Sequence, residues 1–271
     1  MHGASRESLG HVRVRLAELT RDESVDLQRV GDELFAVLGL LYEQPVLRRT
    51  LSDPARSGEA RAGLLRSLFS GQVSGPAIEL AAAVVEQRWT SSAALSAALE
   101  AVAAEAVVAS AERQGRLDDV EDELFRFLRI VEATPPLRNA LSDPAAPAES
   151  KERLLQSLLG GKAAPATERL VRQAAVARRG RTIEAVLQDY GQIAADRRNR
   201  LVARVRTAVP LTEDERARLG AALRRIYGHD VHLDIDLDPS VLGGVEVSVE
   251  GEVVDGTVRS RLDETRRRLA G

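Results

Sequence analysis

Three groups of residues in this 271-residue sequence have types and spacings that could do chemistry. The first is Gly243-Gly244, within "VLGGVEVSVEGEVVDG" at 241–256. Paired glycines cradle a phosphate where they open a helix, because free backbone N–H groups converge there, usually with a Lys and a Ser or Thr just behind. Here they lead into alternating valines with no Lys nearby. The pair therefore reads as a bend or close backbone approach at the start of a strand. The second group is His229, His232, Asp234, Asp236 and Asp238. No two histidines stand at metal-ligand spacing, and alternate acids along a strand are its solvated side, so no metal is expected.

The third group is arginine. Residues 178–206 hold eight Arg against three acids, and 259–268 hold five against two. Both runs could attract acidic partners. They lack interleaved aromatics for base stacking, and the chain carries a net charge of −3, so no nucleic-acid partner is expected. "RRGR" at 178–181 and "DRRNR" at 196–200 read as solvated helix ends. No G-x-S-x-G, H-E-x-x-H or P-loop pattern appears, and without Cys neither a thiol nucleophile nor a Cys-ligated zinc is possible. The expectation is a chain with no catalytic residue, no cofactor and no metal.

The elements behind these residues change character along the chain. From Leu201 the period is that of strands. "LVARVRTAV" alternates and ends at Pro210, "VHLDIDL" alternates again, and Val245, Val247 and Val249 make a third strand. Between the first two, Thr212 and Glu215 form a capping box for a helix running to Gly228. Asp255-Gly256-Thr257 is expected to begin a last helix with Val258, Leu262 and Leu269 on one stripe beside Arg259, Arg261 and Arg266 to Arg268. Such an amphipathic end either packs on its own sheet or docks on a partner.

Before Leu201 the period is helical, and it repeats. "DELF" occurs at 32–35 and 122–125, "LSDP" at 51–54 and 141–144, and residues 32–71 and 122–161 agree at nineteen of forty positions without a gap. A module has been duplicated at an offset of ninety residues. Prolines and Gly160-Gly161 cut each copy into short helices. The Ala-rich stretch 92–115 is one long helix joining the copies, and Glu100 and Glu105 interrupt it, so no membrane span is expected. With aromatics at only 3%, the interior must be Leu, Val and Ala, which suits packed helices. The expected fold is mainly α, two tandem helical bundles followed by a small C-terminal α/β domain. The expected domains are 1–94, 95–200 and 201–271.

The ending carries a resemblance. "TAVPLTEDERARLGAAL" followed by "DPSVLGGVEVSVEGEVVDGTVRSRLDETRRRL" closely resembles the carboxyl end of the delta subunit of F-type ATP synthase, counterpart of the mitochondrial oligomycin-sensitivity-conferring protein. The matching signature is Leu242-Gly243-Gly244, Asp255-Gly256-Thr257 and Arg259-x-Arg261-Leu262. "LDDVEDELFRFLRIVEATPPLRNALSDP" looks like the helical domain of that subunit, so the resemblance covers about 95–271. The extra copy at 1–90 resembles the longer delta subunits of actinobacteria.

The resemblance implies a non-enzymatic stator, peripheral on the cytoplasmic face of the cell membrane and not inserted in it. It would hold amino-terminal helices of the alpha subunits with residues 95–200 and the membrane-anchored b subunit with residues 201–271. The implied groove for alpha is lined by Leu99, Val102 and Ala106 with Leu170, Val171 and Ala174, unless those positions are core. On the stalk side the implied residues are Leu242, Gly243, Gly244, Asp255, Gly256, Val258, Arg259, Leu262 and Leu269. The competing reading is a regulatory nucleic-acid-binding protein that uses the Arg-rich α/β ending.

Overall fold

Eleven helices precede the first strand in the computed structural model, which describes residues 3–177, 179–198, 201–227, 231–239, 241, 244–249 and 252–255. They are α1 (Gly3–Arg21), α2 (Leu27–Glu43), α3 (Pro45–Leu51), α4 (Gly58–Phe69), α5 (Gly75–Glu86), α6 (Ser92–Arg113), α7 (Leu117–Ala133), α8 (Pro135–Ser142), α9 (Ala148–Leu159), α10 (Pro165–Val176) and α11 (Ile183–Arg198). Pro45, Pro135 and Pro165 each open a helix, where a missing N–H costs nothing.

The ninety-residue offset carries the starts of α2, α3, α4 and α5 onto those of α7, α8, α9 and α10. It also carries α1 onto α6, and the start of α6 to within a residue of α11. So α6 closes the first copy and opens the second. The repeated words have structural work in both copies. Glu33 of the first "DELF" accepts the Ser74 amide at 2.9 Å and the Ser74 hydroxyl, at the start of α5. Glu123 of the second accepts the Ala164 amide at 2.9 Å and the Thr167 hydroxyl at 2.5 Å, at the start of α10. Each carboxylate thus fastens one helix to the open donors of another. In "LSDP", Asp53 and Asp143 accept the amides of Ala55 and Ala145 at 2.9 and 2.8 Å, folding the chain at Asp-Pro.

Because α6 is shared, it is buried on nearly every side, from Leu95 to Ala111. Its small residues let neighbours come close. A Cβ on Gly31 of α2 would lie 2.5 Å from Val107 Cγ2 and 3.0 Å from the Ala103 carbonyl oxygen, so only glycine fits there. Among the described residues α6 is the one helix long and apolar enough to cross a membrane, yet helices of both copies cover it. One core runs from Leu9 to Ala194. It does not part at residues 94–95, where the sequence reading drew a boundary, since the helix just beyond serves both copies. The chain divides instead into residues 1–197 and 198–271.

The second unit holds β1 (Leu201–Thr207), α12 (Glu213–Tyr227), β2 (Val231–Leu237), β3 (Val245–Val249) and β4 (Glu252–Asp255). Its sheet runs β2-β1-β3-β4, with β1 and β2 parallel and the other pairs antiparallel. The parallel pair needs a crossover, and α12 supplies it. The Glu215 carboxylate accepts the Thr212 amide at 2.8 Å, while the Thr212 hydroxyl accepts the Glu215 amide at 3.3 Å, the capping box read from sequence. Ala203, Val205, Leu223 and Val247 form a separate small core.

Two expectations are corrected. The sheet has four strands, because "EVVD" folds back on β3 with Val249 opposite Glu252. Asp255 ends that strand rather than starting a helix. Residues 256–271, and with them the expected terminal helix, lie outside the described residues.

Candidate partner-binding surfaces

The groove implied for the helical part is not a surface. Leu99, Val102 and Ala106 on α6 and Leu170, Val171 and Ala174 on α10 are all 0% exposed. Their repeat mates Leu9, Val12 and Leu16 on α1 are buried as well. An apolar stripe signals burial but not what does the burying, and here the chain covers these positions itself. The six residues are core.

Ion pairs tie α6 to both copies. The Tyr190 hydroxyl of α11 donates to Glu100 Oε1 at 3.0 Å, and Arg179 and Arg181 lie 3.3 and 3.8 Å from the same carboxylate. Burial, reinforced by the Glu100 charge, pushes the Tyr190 hydroxyl well above its ordinary value, so it remains a donor. Its ring meets Phe35 of α2 at 6.4 Å, and the Arg179 guanidinium stacks 4.8 Å from the Tyr42 ring centre. From the other side, Arg13 of α1 donates to Glu105 at 2.8 and 2.5 Å. Arg197 pairs with Glu112 at 2.5 Å. Of the "RRGR" and "DRRNR" runs, Arg179, Arg181 and Arg197 therefore bind their own chain rather than standing as solvated ends.

The body's open surfaces lie elsewhere. A cleft of about 570 Å³ between α2, α9 and α10 has Leu155, Leu159 and Pro165 in its lining beside Arg153, Arg169 and Glu168. Arg169 bridges its wall to Asp32 of α2 at 3.1 Å. Burial raises Asp32 above the ordinary carboxylate value although Arg169 and Arg172 pull the other way. Phe125 and Ile130 of α7 are more than half exposed. Sequence reasoning did not select them, yet the signal was present. Val120, Leu124, Phe127 and Val131 define the inward stripe of α7, and neither residue falls on it.

In the α/β unit, Gly244 enters β3 with φ of +81°, a backbone conformation that side chains disfavour. The glycine pair is thus a bend at its described member. Leu242, Gly243, Gly256, Val258, Arg259, Leu262 and Leu269 lie outside the described residues. Arg206 of β1 reaches both Asp238 and Glu246, at 3.2 Å from the latter, fastening the chain before β3 to the sheet. Val209, Ile226 and Leu237 are exposed apolar residues on this unit. Among the described residues no cluster of His, Asp or Glu is arranged to hold a metal.

A helical body built as two copies around one shared helix is followed by a small α/β unit with its own core. Comparison with known proteins gives the family. The profile of the ATP synthase delta (OSCP) subunit matches residues 99–269, and the chain belongs to that family, a structural and non-catalytic component of the ATP synthase. The ATP synthase subunit delta of Streptomyces coelicolor is 49% identical over 270 residues, covering 100% of this chain and 98% of the relative. That of Streptomyces griseus is 48% identical over 271 residues, covering all of both. That of Frankia alni is 47% identical over 275 residues, with 99% of each covered. The family profile begins within α6, the helix that opens the second copy. The full-length relatives align across the first copy too.

Proposed function

We propose that the chain acts as a stator at the cytoplasmic face of the cell membrane. Its helical body holds amino-terminal helices of the alpha subunits of the catalytic head, and its α/β unit grips the b subunit of the peripheral stalk. Proton flow turns a rotor, and the head must be kept from turning with it. Such a tether needs two attachments and no active site. The observation that carries the reading is the match over 99–269, which takes in the second helical copy and the separately cored α/β unit.

Removing residues 241–271 tests the division of labour. The deletion takes β3 and β4 from the sheet but removes no residue of the core that runs from Leu9 to Ala194. The shortened chain is expected to bind the catalytic head and to lose b in a pull-down. Membranes carrying it should hydrolyse ATP with little proton movement. Retained b binding and retained coupling would refute the assignment and point to the extra copy at 1–94 as the stalk attachment.

A further inference from the structure

The ninety-residue offset carries one surface hollow onto another, and the two differ in charge. In the first copy the hollow lies at the turn before α6, with Trp89, Ser91, Arg49, Arg56 and Asp53 in its lining. The buried Trp89 indole donates to the Val84 carbonyl at 2.7 Å, so its one donor is satisfied. In the second copy the mates of Trp89 and Ser91 are Arg179 and Arg181. The hollow there, about 650 Å³, lies between the turn after α8 and the turn before α11. Its charged lining is Lys151, Arg179 and Arg181, joined by Ser142 and Thr182, with no acidic residue among the described lining. Lys151 is 7% exposed, and so is the Arg179 side chain.

We propose that this hollow binds a phosphate group. Glu100, which is not part of the lining, is one carboxylate shared by Arg179 and Arg181 at 3.3 and 3.8 Å, and it already accepts the Tyr190 hydroxyl. Arg181 also reaches Asp189, which is 62% exposed. Nη1 of Arg179 is buried and has no hydrogen-bond partner among the described residues, although Glu100 Oε1 stands 3.3 Å away. A guanidinium carries five donors and no acceptor, so burying it with a donor unmet costs free energy that an incoming acceptor recovers. A tetrahedral oxyanion offers acceptors in several directions at once. That suits cations and hydroxyls carried on separate turns better than a planar carboxylate does. The start of α9 adds to the field, because Ala148, its first residue, lines the hollow and no side chain caps the helix. Glu149 in the same turn lines the cleft between α2, α9 and α10 instead. A bound phosphate would join the turn after α8 to the turn before α11. The site does not depend on the stator reading.

The test titrates inorganic phosphate into the full chain by calorimetry at constant ionic strength, with acetate as the carboxylate control and glycerol phosphate as a monoester. Saturable binding of phosphate but not of acetate is expected. Ala148→Glu sets a carboxylate in the lining without touching the ion pairs. An acid suits the first turn of a helix, so the fold should hold by circular dichroism. This variant should weaken phosphate binding about tenfold or more, the scale of one hydrogen bond to a charged group. Arg181→Ser, which restores the residue of the first copy, should do the same. Tighter binding of glycerol phosphate than of inorganic phosphate would assign the site to the end of a larger molecule, and the reverse order to the free ion. No phosphate binding, binding unchanged by both variants, or equal binding of acetate overturns the proposal.

Discussion

Glu33 sits where burial should raise a carboxyl group, and the Ser74 hydroxyl and amide together with Arg29 more than reverse that, holding it below its ordinary value. A depressed carboxylate stabilises the fold at pH values above that of the free side chain, and the contribution is lost as pH falls through the lower folded value. Glu33→Gln should therefore cost about 1–2 kcal/mol in urea unfolding at neutral pH, the scale of a charge-assisted helix cap. The gap to the wild type should begin to close near pH ~4.3 and vanish in stronger acid. A gap independent of pH would mean that the charge at Glu33 does not matter. At this scale the sequence was partly legible. "DELF" announced a constraint, and the Thr212–Glu215 box was readable outright because its partners are three residues apart. The partner of Glu33 lies forty-one residues away and could not be read from spacing. Phe35 and Phe125 mark the sharper limit. One residue in one motif is core in the first copy and surface in the second, since burial depends on what neighbours do.

Among elements, α6 decides the most. Its 22 residues are easily read as a helix, and the repeat offset marks it as belonging to both copies. What the pattern withheld was that sharing buries it all round, which turned the expected groove residues Leu99, Val102 and Ala106 into interior. The contact with α2 rests on Gly31. Gly31→Ala should destabilise the helical body by about 1–3 kcal/mol, because the added methyl meets Val107 and the Ala103 backbone with no room to yield. A shift of thermal unfolding checks it, and an unchanged or raised midpoint would mean that α2 can retreat from α6. The strands of the second unit were legible by alternation. β4 was missed because Asp-Gly at 255–256 looked like the start of a helix.

For the whole molecule, the absence of a break at residues 94–95 has a consequence for how the chain can be cut. A fragment of residues 95–200 keeps most of α6 but strips away α1 and α2, exposing an Ala- and Val-rich surface and leaving Glu105 without its Arg13 partner. It should aggregate, as large exposed apolar patches do. Excising residues 27–116 instead, a single ninety-residue period, joins α1 directly to α7. The mate of α6 then stands in its place, and α1 is polar along the flank that would face solvent, with Glu7, Gly10 and His11 exposed. That shortened chain should remain monomeric and helical by sedimentation and circular dichroism, whereas the 95–200 fragment should not. If both behave alike, α6 does not carry the burden assigned to it. The arithmetic extends in the other direction as well. With a helix held in common, each inserted period brings five helices rather than six and leaves the polar end helix in front. An array of this kind can lengthen or shorten by in-frame duplication without ever needing a new cap.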